Sequence, residues 1–208
     1  MSTRTIDRLE TARLVCERLA SGHAPEERRL LLDPRVGATL WSRPAPPTEA
    51  EIGDGLAAKI DHWDRHGFGL WLLRDRGTGV AVGRGGLQYT FTAGLHDVEA
   101  AWAIVPERWG QGLATELAAA CVEVGFGQLG LRQIVAFTLP DNVASRRVME
   151  KAGFEYERDI VHAGLAHVLY VQRPRGGAAV FNGGHLRASA QVCRRVPRTL
   201  ADHAKRAK

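Results

Sequence analysis

The hydrophobic positions along the chain follow two alternating periods, one typical of strands and one of helices. Short apolar runs bounded by turn residues predict seven strands, at residues 11–18, 68–74, 80–89, 98–105, 133–139, 155–162 and 166–172. Helical patterns between them predict four helices, at 25–32, 48–63, 114–126 and from Asp141 or Asn142 to Gly153. This order predicts an α/β (α+β) domain in which most helices lie on the faces of one mixed sheet.

Polar residues and glycines mark several element boundaries. Thr48 with Glu51 three residues later forms a capping box, the side-chain signature of a helix start. Gly153 stands where a helix ends in a left-handed conformation. The cluster Gly83–Gly86 lies inside a predicted strand and indicates a bulge or a close backbone approach.

The net charge of +5 comes from the C-terminal segment. Residues 1–172 contain 19 Lys and Arg against 22 Asp and Glu, whereas residues 173–208 contain 9 against Asp202 alone. We therefore predict a folded domain over 1–173 and a basic tail over 174–208. A loosely ordered, solubilising tail is the favoured interpretation, and docking on RNA or a ribosome is the alternative, because no base-stacking pattern accompanies the charge.

Other sequence features restrict the cellular setting. No apolar run approaches the roughly 18 residues of a membrane helix, and the N-terminus lacks the apolar core of a signal peptide. Cys16, Cys121 and Cys193 are isolated and show no metal-ligand spacing. We expect a cytoplasmic protein without membrane contact and without a metal.

The segment Trp109–Ala114 joins a predicted strand to a predicted helix and contains two glycines. Glycine lets the backbone approach a ligand, and the unpaired N–H groups of a helix start attract phosphate. The dinucleotide fingerprint requires a third glycine where Thr115 stands, and the Gly-Lys-Ser/Thr of a triphosphate loop is absent. The segment therefore predicts a phosphate-binding loop of another class.

This loop resembles the acetyl-CoA signature of the GNAT N-acetyltransferases, Arg/Gln-x-x-Gly-x-Gly/Ala, with Trp109 in the leading position. A second segment, with Asn142, Ser145 and the run 150–154 (Glu-Lys-Ala-Gly-Phe), is similar to the branch that contains the ribosomal-protein N-terminal acetyltransferases. The resemblance covers about residues 8–173. It implies the GNAT fold, a mostly antiparallel twisted sheet of about seven strands flanked by about four helices.

The resemblance implies acetyl-CoA as co-substrate and assigns its binding residues. Backbone N–H groups of the loop would hold the pyrophosphate, the end of the strand before it would bind the pantetheine amides, and a backbone N–H near Ile104 would polarise the thioester carbonyl. Asn142 resembles the family residue that contacts the pantetheine arm, and it also fits a helix N-cap. The predicted cofactor-binding residues are Ile104, Val105, Trp109, Gly110, Gln111, Gly112, Leu113, Ala114, Asn142 and Ser145.

Two predicted catalytic residues follow from the same resemblance. Glu99 is the expected base, which would deprotonate the amine through water. Many relatives use a tyrosine acid where this chain has Met149, and methionine cannot donate a proton. Ser145 is therefore the expected hydrogen-bond donor to the leaving sulfur, with Tyr156 in reserve.

The predicted function is acetyl transfer to a primary amine by direct attack in a ternary complex, because neither motif contains a cysteine. The acceptor stays open between a protein N-terminus and a small molecule, and a homodimer also stays open. His96, His162 and His167 could approach an acceptor from strand ends. The alternative is a non-catalytic CoA-binding module that docks on RNA or a ribosome through its tail. Met149 at the usual position of the acid is the reason to keep this alternative.

Overall fold

The computed structural model describes residues 6–40, 45–92 and 94–174, and these form one layered α/β unit. The strands are β1 Arg8–Glu10, β2 Leu14–Arg18, β3 Leu70–Asp75, β4 Ala81–Thr92, β5 Leu95–Ile104, β6 Ile134–Thr138, β7 Glu155–His162 and β8 Leu165–Gln172. The helices are α1 Ala24–Leu31, α2 Pro34–Leu40, α3 Glu49–His66, α4 Leu113–Gly127 and α5 Val143–Lys151. No helix within these ranges is both long enough and apolar enough to cross a bilayer.

All described strands belong to one sheet, in the order β1-β2-β3-β4-β5-β6-β8-β7. Every neighbouring pair is antiparallel except β5 and β6, which run parallel. The mixed, mostly antiparallel sheet predicted from the sequence is thus confirmed.

Strands β5 and β6 are joined at a single position, where Glu99 faces Val135. Beyond that position β5 continues to Ile104 in unbroken register with β4, while β6 turns to pair with β8. The sheet therefore divides after Glu99, and a gap opens between the end of β5 and β6.

Helices cover both faces of the sheet. Strand β3 shows why, since Leu70 and Leu72 join one buried cluster while Trp71 and Leu73 join another. The first cluster includes Leu56 of α3, and the second includes the buried side of α4, which consists of Leu113, Leu117, Cys121 and Val124. The polypeptide at Gly85 of β4 lies so close to α4 that a Cβ there would be 2.5 Å from Leu117 Cδ2.

The predicted capping signals are found in the structure. The Thr48 hydroxyl accepts from the Glu51 N–H at 3.2 Å, and the Thr48 N–H donates to the Glu51 carboxylate at 2.7 Å. Asn142, rather than Asp141, is the N-cap of α5, and Gly153 follows that helix with φ 86°.

The sequence analysis missed two short elements, β1 and α2. Helix α2 begins behind Asp33, whose carboxylate accepts the Arg35 N–H at 2.9 Å, with Pro34 in the first turn. Gly37 inside this seven-residue helix weakens the helical pattern. Strand β1 has only three residues, and none is fully buried, so it has no hydrophobic periodicity. The predicted tail beyond Pro174, including Cys193, lies outside the described residues.

Candidate functional site

A cavity of about 840 Å³ lies where the sheet divides, a size typical of small-ligand and cofactor sites. Its wall is formed by residues of β4, β5 and β6, of the ends of β7 and β8, of α2, α3 and α5, and of the start of α4. Two parts of the wall differ in construction. We call the part formed by the segment 109–114 the α4 end, and the part formed by Lys59, Arg84, Gln88 and Glu99 the α3 end.

Most of the residues predicted from the sequence line this one cavity. They are Glu99, Ile104, Trp109, Gly110, Gly112, Leu113, Ala114, Asn142 and Ser145.

Val105 and Gln111 are not among the wall residues. The Val105 N–H donates to the Val82 carbonyl at 2.9 Å, so this N–H is not free for a pantetheine amide. The Gln111 side chain accepts from Arg108 Nε at 2.9 Å and donates to the Glu107 carbonyl at 3.3 Å.

The backbone of the α4 end is shaped by two glycines in the left-handed region. Gly110 has φ 73° and Gly112 has φ 78°, values that other residues adopt only at a cost of about 1–2 kcal/mol. Gly112 is the N-cap of α4 and has no side chain to occupy the first N–H groups of the helix. These N–H groups and the positive end of the helix dipole therefore form an anion-binding cradle.

Side-chain hydrogen bonds hold this cradle in place. Trp109 Nε1 donates to the Ile104 carbonyl at 2.6 Å, which fixes the loop to the end of β5. Arg13 Nη1 donates to the Gln111 carbonyl at 2.7 Å, and Arg13 Nε donates to Glu116 in the first turn of α4 at 2.7 Å. Arg13 lies about a hundred positions earlier in the chain, so the sequence analysis gave no reason to connect it with this loop.

The end of β5 presents backbone groups to the gap. Antiparallel pairs alternate between hydrogen-bonded and non-hydrogen-bonded positions, and the Val105–Val82 hydrogen bond fixes that alternation. The N–H groups of Trp102 and Ile104 and the Trp102 carbonyl consequently point away from β4 and towards the gap. The Ile104 carbonyl is occupied by Trp109. Three backbone groups are thus available to an extended ligand beside β5.

Glu99 lies at the point of division and is only 9% exposed. Burial raises the pKa of its carboxyl to about 7, and a hydrogen bond from Gln88 Nε2 to Oε2 at 3.1 Å opposes that rise. Gln88 is the residue directly opposite Glu99 on β4. A carboxyl with a pKa near 7 can accept a proton at physiological pH and release it again.

Helix α5 brings a fixed amide and a hydroxyl to the wall. The Asn142 side chain accepts the Ser145 N–H at 3.1 Å and donates to Thr138 Oγ1 at 3.0 Å, so its orientation is set by the N-cap. The Ser145 hydroxyl has no hydrogen-bond partner among the described residues. Met149 is 1% exposed and belongs to the core as well as the wall.

Tyr156 does not line the cavity, so its reserve role as acid is wrong for this structure. Its side chain is 54% exposed, and its hydroxyl donates to Asp159 at 3.0 Å.

The three predicted histidines separate into two groups. His162 and His167 line the cavity with ring centroids 5.3 Å apart, and burial lowers the pKa of His162. His96 is exposed, packs against Phe91 and is not part of the wall. No three His, Cys, Asp or Glu side chains within the described ranges are grouped as metal ligands.

The sequence analysis also missed several basic wall residues. Arg147 and Lys151 lie one turn apart on α5, and Lys59 and Arg84 lie at the α3 end. Arg108 also lines the cavity, but its guanidinium forms an ion pair with Asp75 and holds the pKa of that carboxyl down at about 2.

A sheet that divides beside a glycine-shaped helix start forms a cleft suited to an extended ligand that carries phosphate. The model of the acetyltransferase (GNAT) domain family matches residues 13–155. The chain therefore belongs to this family, whose acetyltransferases use acetyl-CoA.

The Bacillus subtilis protein YoaA, whose name is that of an uncharacterised N-acetyltransferase, is 34% identical over 87 residues, 42% of this chain and 49% of YoaA. The Bacillus subtilis protein YkkB, which is uncharacterised, is 33% identical over 95 residues, 46% of this chain and 55% of YkkB. The chain spans about half the length of the curated relatives it matches.

Two solved structures show the same fold. A Bordetella pertussis protein assigned to the GNAT-family acetyltransferases is 28% identical, with a TM-score of 0.68 over 79% of this chain and 98% of that one. The ribosomal L7/L12 alpha-N-protein acetyltransferase RimL, solved in complex with coenzyme A, is 16% identical, with a TM-score of 0.64 over 78% of this chain and 95% of that one.

Proposed function

We propose that the protein is an N-acetyltransferase that transfers the acetyl group of acetyl-CoA directly to a primary amine in a ternary complex. The observation that carries this proposal is the position of Glu99. A buried carboxyl whose pKa is about 7 lines the same cavity as the anion-binding start of α4.

The α4 end fits the pyrophosphate of acetyl-CoA. The first N–H groups of α4 lack a side-chain cap, and the left-handed glycines leave no Cβ on the loop at Gly110 and Gly112. Arg147 and Lys151 on α5 add positive charge to the wall beside α4 and fit the remaining phosphate of the cofactor. We therefore assign the α4 end to the cofactor and assign none of its residues to recognition of the acceptor.

The gap beside β5 fits the pantetheine arm and the thioester. The N–H and carbonyl groups of Trp102 can pair with pantetheine amides as a neighbouring strand would. The Ile104 N–H is the predicted donor to the thioester carbonyl, and the Trp102 N–H is a second donor of suitable direction. Either N–H would stabilise the negative charge that develops on that oxygen during attack.

Glu99 is the proposed base. Its side chain lies where the sheet divides, and the Gln88 hydrogen bond orients one carboxylate oxygen. We propose that the carboxylate takes a proton from the acceptor ammonium through a water molecule and leaves a neutral amine for attack.

Ser145 is the proposed hydrogen-bond donor to the departing sulfur. Its hydroxyl has no other partner among the described residues, so it is available for this role. Met149 cannot donate a proton. A thiolate leaves readily, so a hydrogen bond can serve where many relatives use a stronger acid.

Direct transfer is supported by the state of the cysteines within the described ranges. Cys16 and Cys121 are fully buried, and neither lines the cavity. Burial raises the pKa of the Cys16 thiol to about 12 and raises that of Cys121 as well. A buried, protonated thiol is a poor nucleophile, so we propose no acetyl-enzyme intermediate.

The acceptor amine is a protein N-terminus or a small molecule. The motif on α5 supports the ribosomal-protein branch, and thus a protein N-terminus. The likeness to RimL, at 16% identity, concerns the fold and does not identify the acceptor.

The test is acetyl-CoA turnover with a panel of primary amines, measured as released thiol and as acetylated product by mass spectrometry. We expect product with wild-type protein and a loss of about 10²–10⁴ in kcat for Glu99→Gln, the usual contribution of a positioned base. Binding of CoA without turnover of any amine, in wild type and variant alike, would favour a non-catalytic CoA-binding module.

A further inference from the structure

The α3 end contains a cation, Lys59, that forms no direct ion pair with a described residue. Lys59 of α3 is half-buried, and its Nζ donates to the Gly55 carbonyl at 3.0 Å. No carboxylate among the described residues lies within ion-pair distance of this ammonium. Burial and the nearby charge of Arg84 lower the pKa of Lys59 to about 8, and the carboxylate of Glu27 partly opposes this shift. Two of its three donors thus remain unused in a place where charge is costly.

Arg84 stands beside Lys59 and is held in place by a buried carboxylate. Glu27 of α1 is 1% exposed and forms an ion pair with Arg84 Nη1 through Oε2. The other oxygen of Glu27 is buried and has no hydrogen-bond partner in the part of the chain that the structure describes. Arg84 and Lys59 both line the cavity, so this group of three charges has a net positive charge that faces the ligand space.

These cations lie on the same face of the sheet as Glu99 and opposite α4. Arg84 faces Ala103 and Gln88 faces Glu99 in the β4–β5 register, and the two β4 residues are an even number of positions apart. Gly85, between them, faces Leu117 of α4 on the other side. Positions 84 and 88 are about 13 Å apart along the strand, and the long side chains shorten the distance that a ligand must span.

We propose that the α3 end binds a carboxylate of the acceptor, so that the substrate is a molecule with both a primary amine and a carboxylate. This inference rests on the proposed function, because it assumes that the amine is delivered to Glu99. Lys59 and Arg84 would bind the carboxylate, and Gln88 and Glu99 would face the amine. Such a substrate is either a small amino carboxylate or a peptide N-terminus with an acidic residue close to it.

The experiment compares each acceptor with its neutral isostere. The small-molecule probes are 4-aminobutyrate and 6-aminohexanoate against their primary amides, and the peptide probes carry Asp or Asn as the second residue. We expect wild-type protein to prefer the carboxylate of at least one probe type by about tenfold or more in kcat/KM. The probe type with the larger ratio identifies the source of the carboxylate.

Matched lysine variants assign that preference to the α3 end. Lys59→Met should lower the carboxylate-to-neutral ratio to near one, with the KM for acetyl-CoA changed less than twofold. Lys151→Met removes the same charge from the α5 wall and should instead raise the KM for acetyl-CoA while the ratio is kept. Thermal unfolding of both variants shows whether they are folded, and Lys59→Gln replaces Lys59→Met if it is not.

Different results would overturn the carboxylate inference and the proposed acetyltransferase function. Acetylation of neutral and carboxylate probes at equal rates, or only of amines without a carboxylate, overturns this inference and leaves the acetyltransferase intact. A ratio that Lys59→Met does not change also overturns it. No thiol release with any probe or other amine overturns the proposed function itself.

Discussion

The two ends of the cavity are built from different parts of the polypeptide. The α4 end and the neighbouring end of β5 consist mainly of backbone: left-handed glycines, the N–H groups of a helix start and the peptide groups of β5 that face the gap. The α3 end consists of side chains, Lys59, Arg84, Gln88 and Glu99, from one helix and two strands. A site made of backbone groups can be encoded by one continuous sequence motif. A site made of side chains depends on which helices and strands the fold brings together. The first can therefore be recognised in one segment of sequence, whereas the second becomes visible only in the folded chain.

The largest difference between the two ends is expected in the dependence of kcat/KM on pH, which should reflect Glu99 of the α3 end. Because Glu99 must be deprotonated to act as a base and its pKa is about 7, kcat/KM should fall about tenfold per pH unit below that value. Gln88→Met removes a hydrogen bond that lowers this pKa, so the falling limb should move to higher pH. The pH profile of Glu99→Gln should lack the fall in kcat/KM that is caused by protonation of Glu99. It should keep only the fall that is caused by protonation of the acceptor amine. Parallel pH profiles for wild type and Glu99→Gln would exclude Glu99 as the base.

A single methyl group should damage the α4 end. Gly112→Ala places a Cβ on a residue with φ 78°, at a cost of about 1–2 kcal/mol, and roughly a tenfold weaker affinity for CoA is expected by calorimetry. Gly127→Ala is the matched control at the other end of α4, where a Cβ meets no atom within 4 Å. Equal effects of the two substitutions would contradict a special role for the loop backbone.

The tryptophan of the loop should matter less. Trp109→Phe keeps an aromatic ring and loses the hydrogen bond to the Ile104 carbonyl, worth about 0.5–1.5 kcal/mol. We expect a three- to tenfold rise in the KM for acetyl-CoA, with little change in kcat. Tyr156→Phe removes an exposed donor outside the cavity and should leave both constants unchanged. A larger effect on kcat than on KM would mean that Trp109 contacts the reacting groups.

The smallest effect is expected from removal of residues 176–208. The described wall of the cavity is formed by residues between 36 and 167, so the Kd for acetyl-CoA of the shortened protein should stay within twofold of wild type. Isothermal titration of both proteins measures this directly. A large loss of affinity would add the basic tail to the α4 end as a third component of the cofactor site.

Much of the fold and the glycine loop of the α4 end could be predicted from the sequence, because their signals are local. Glycines, a capping Asn142 and apolar periodicity each act over a few residues, and the structure contains the predicted loop, cap and strands. The short α2 and β1 carry too few residues for a periodic pattern.

The long-range contacts that hold the site in place could not be predicted in the same way. Arg13 reaches the loop from about a hundred positions away, and Lys59 meets Arg84 only after α3 packs on β4. Glu99 was predicted through a family resemblance, and its raised pKa depends on burial that only the folded chain provides. Val105 was predicted as a ligand through the same resemblance, but its N–H donates to the Val82 carbonyl beside β4.

The division of the sheet after Glu99 also makes ligand binding in the gap detectable from the backbone amides of β5. The N–H groups of Ala101 and Ala103 point to β4, whereas those of Trp102 and Ile104 point into the gap. Neighbouring amides on one central strand should therefore exchange with deuterium at alternating fast and slow rates. Ligand bound beside β5 should slow the fast set alone, which makes occupancy of the gap measurable amide by amide without any turnover.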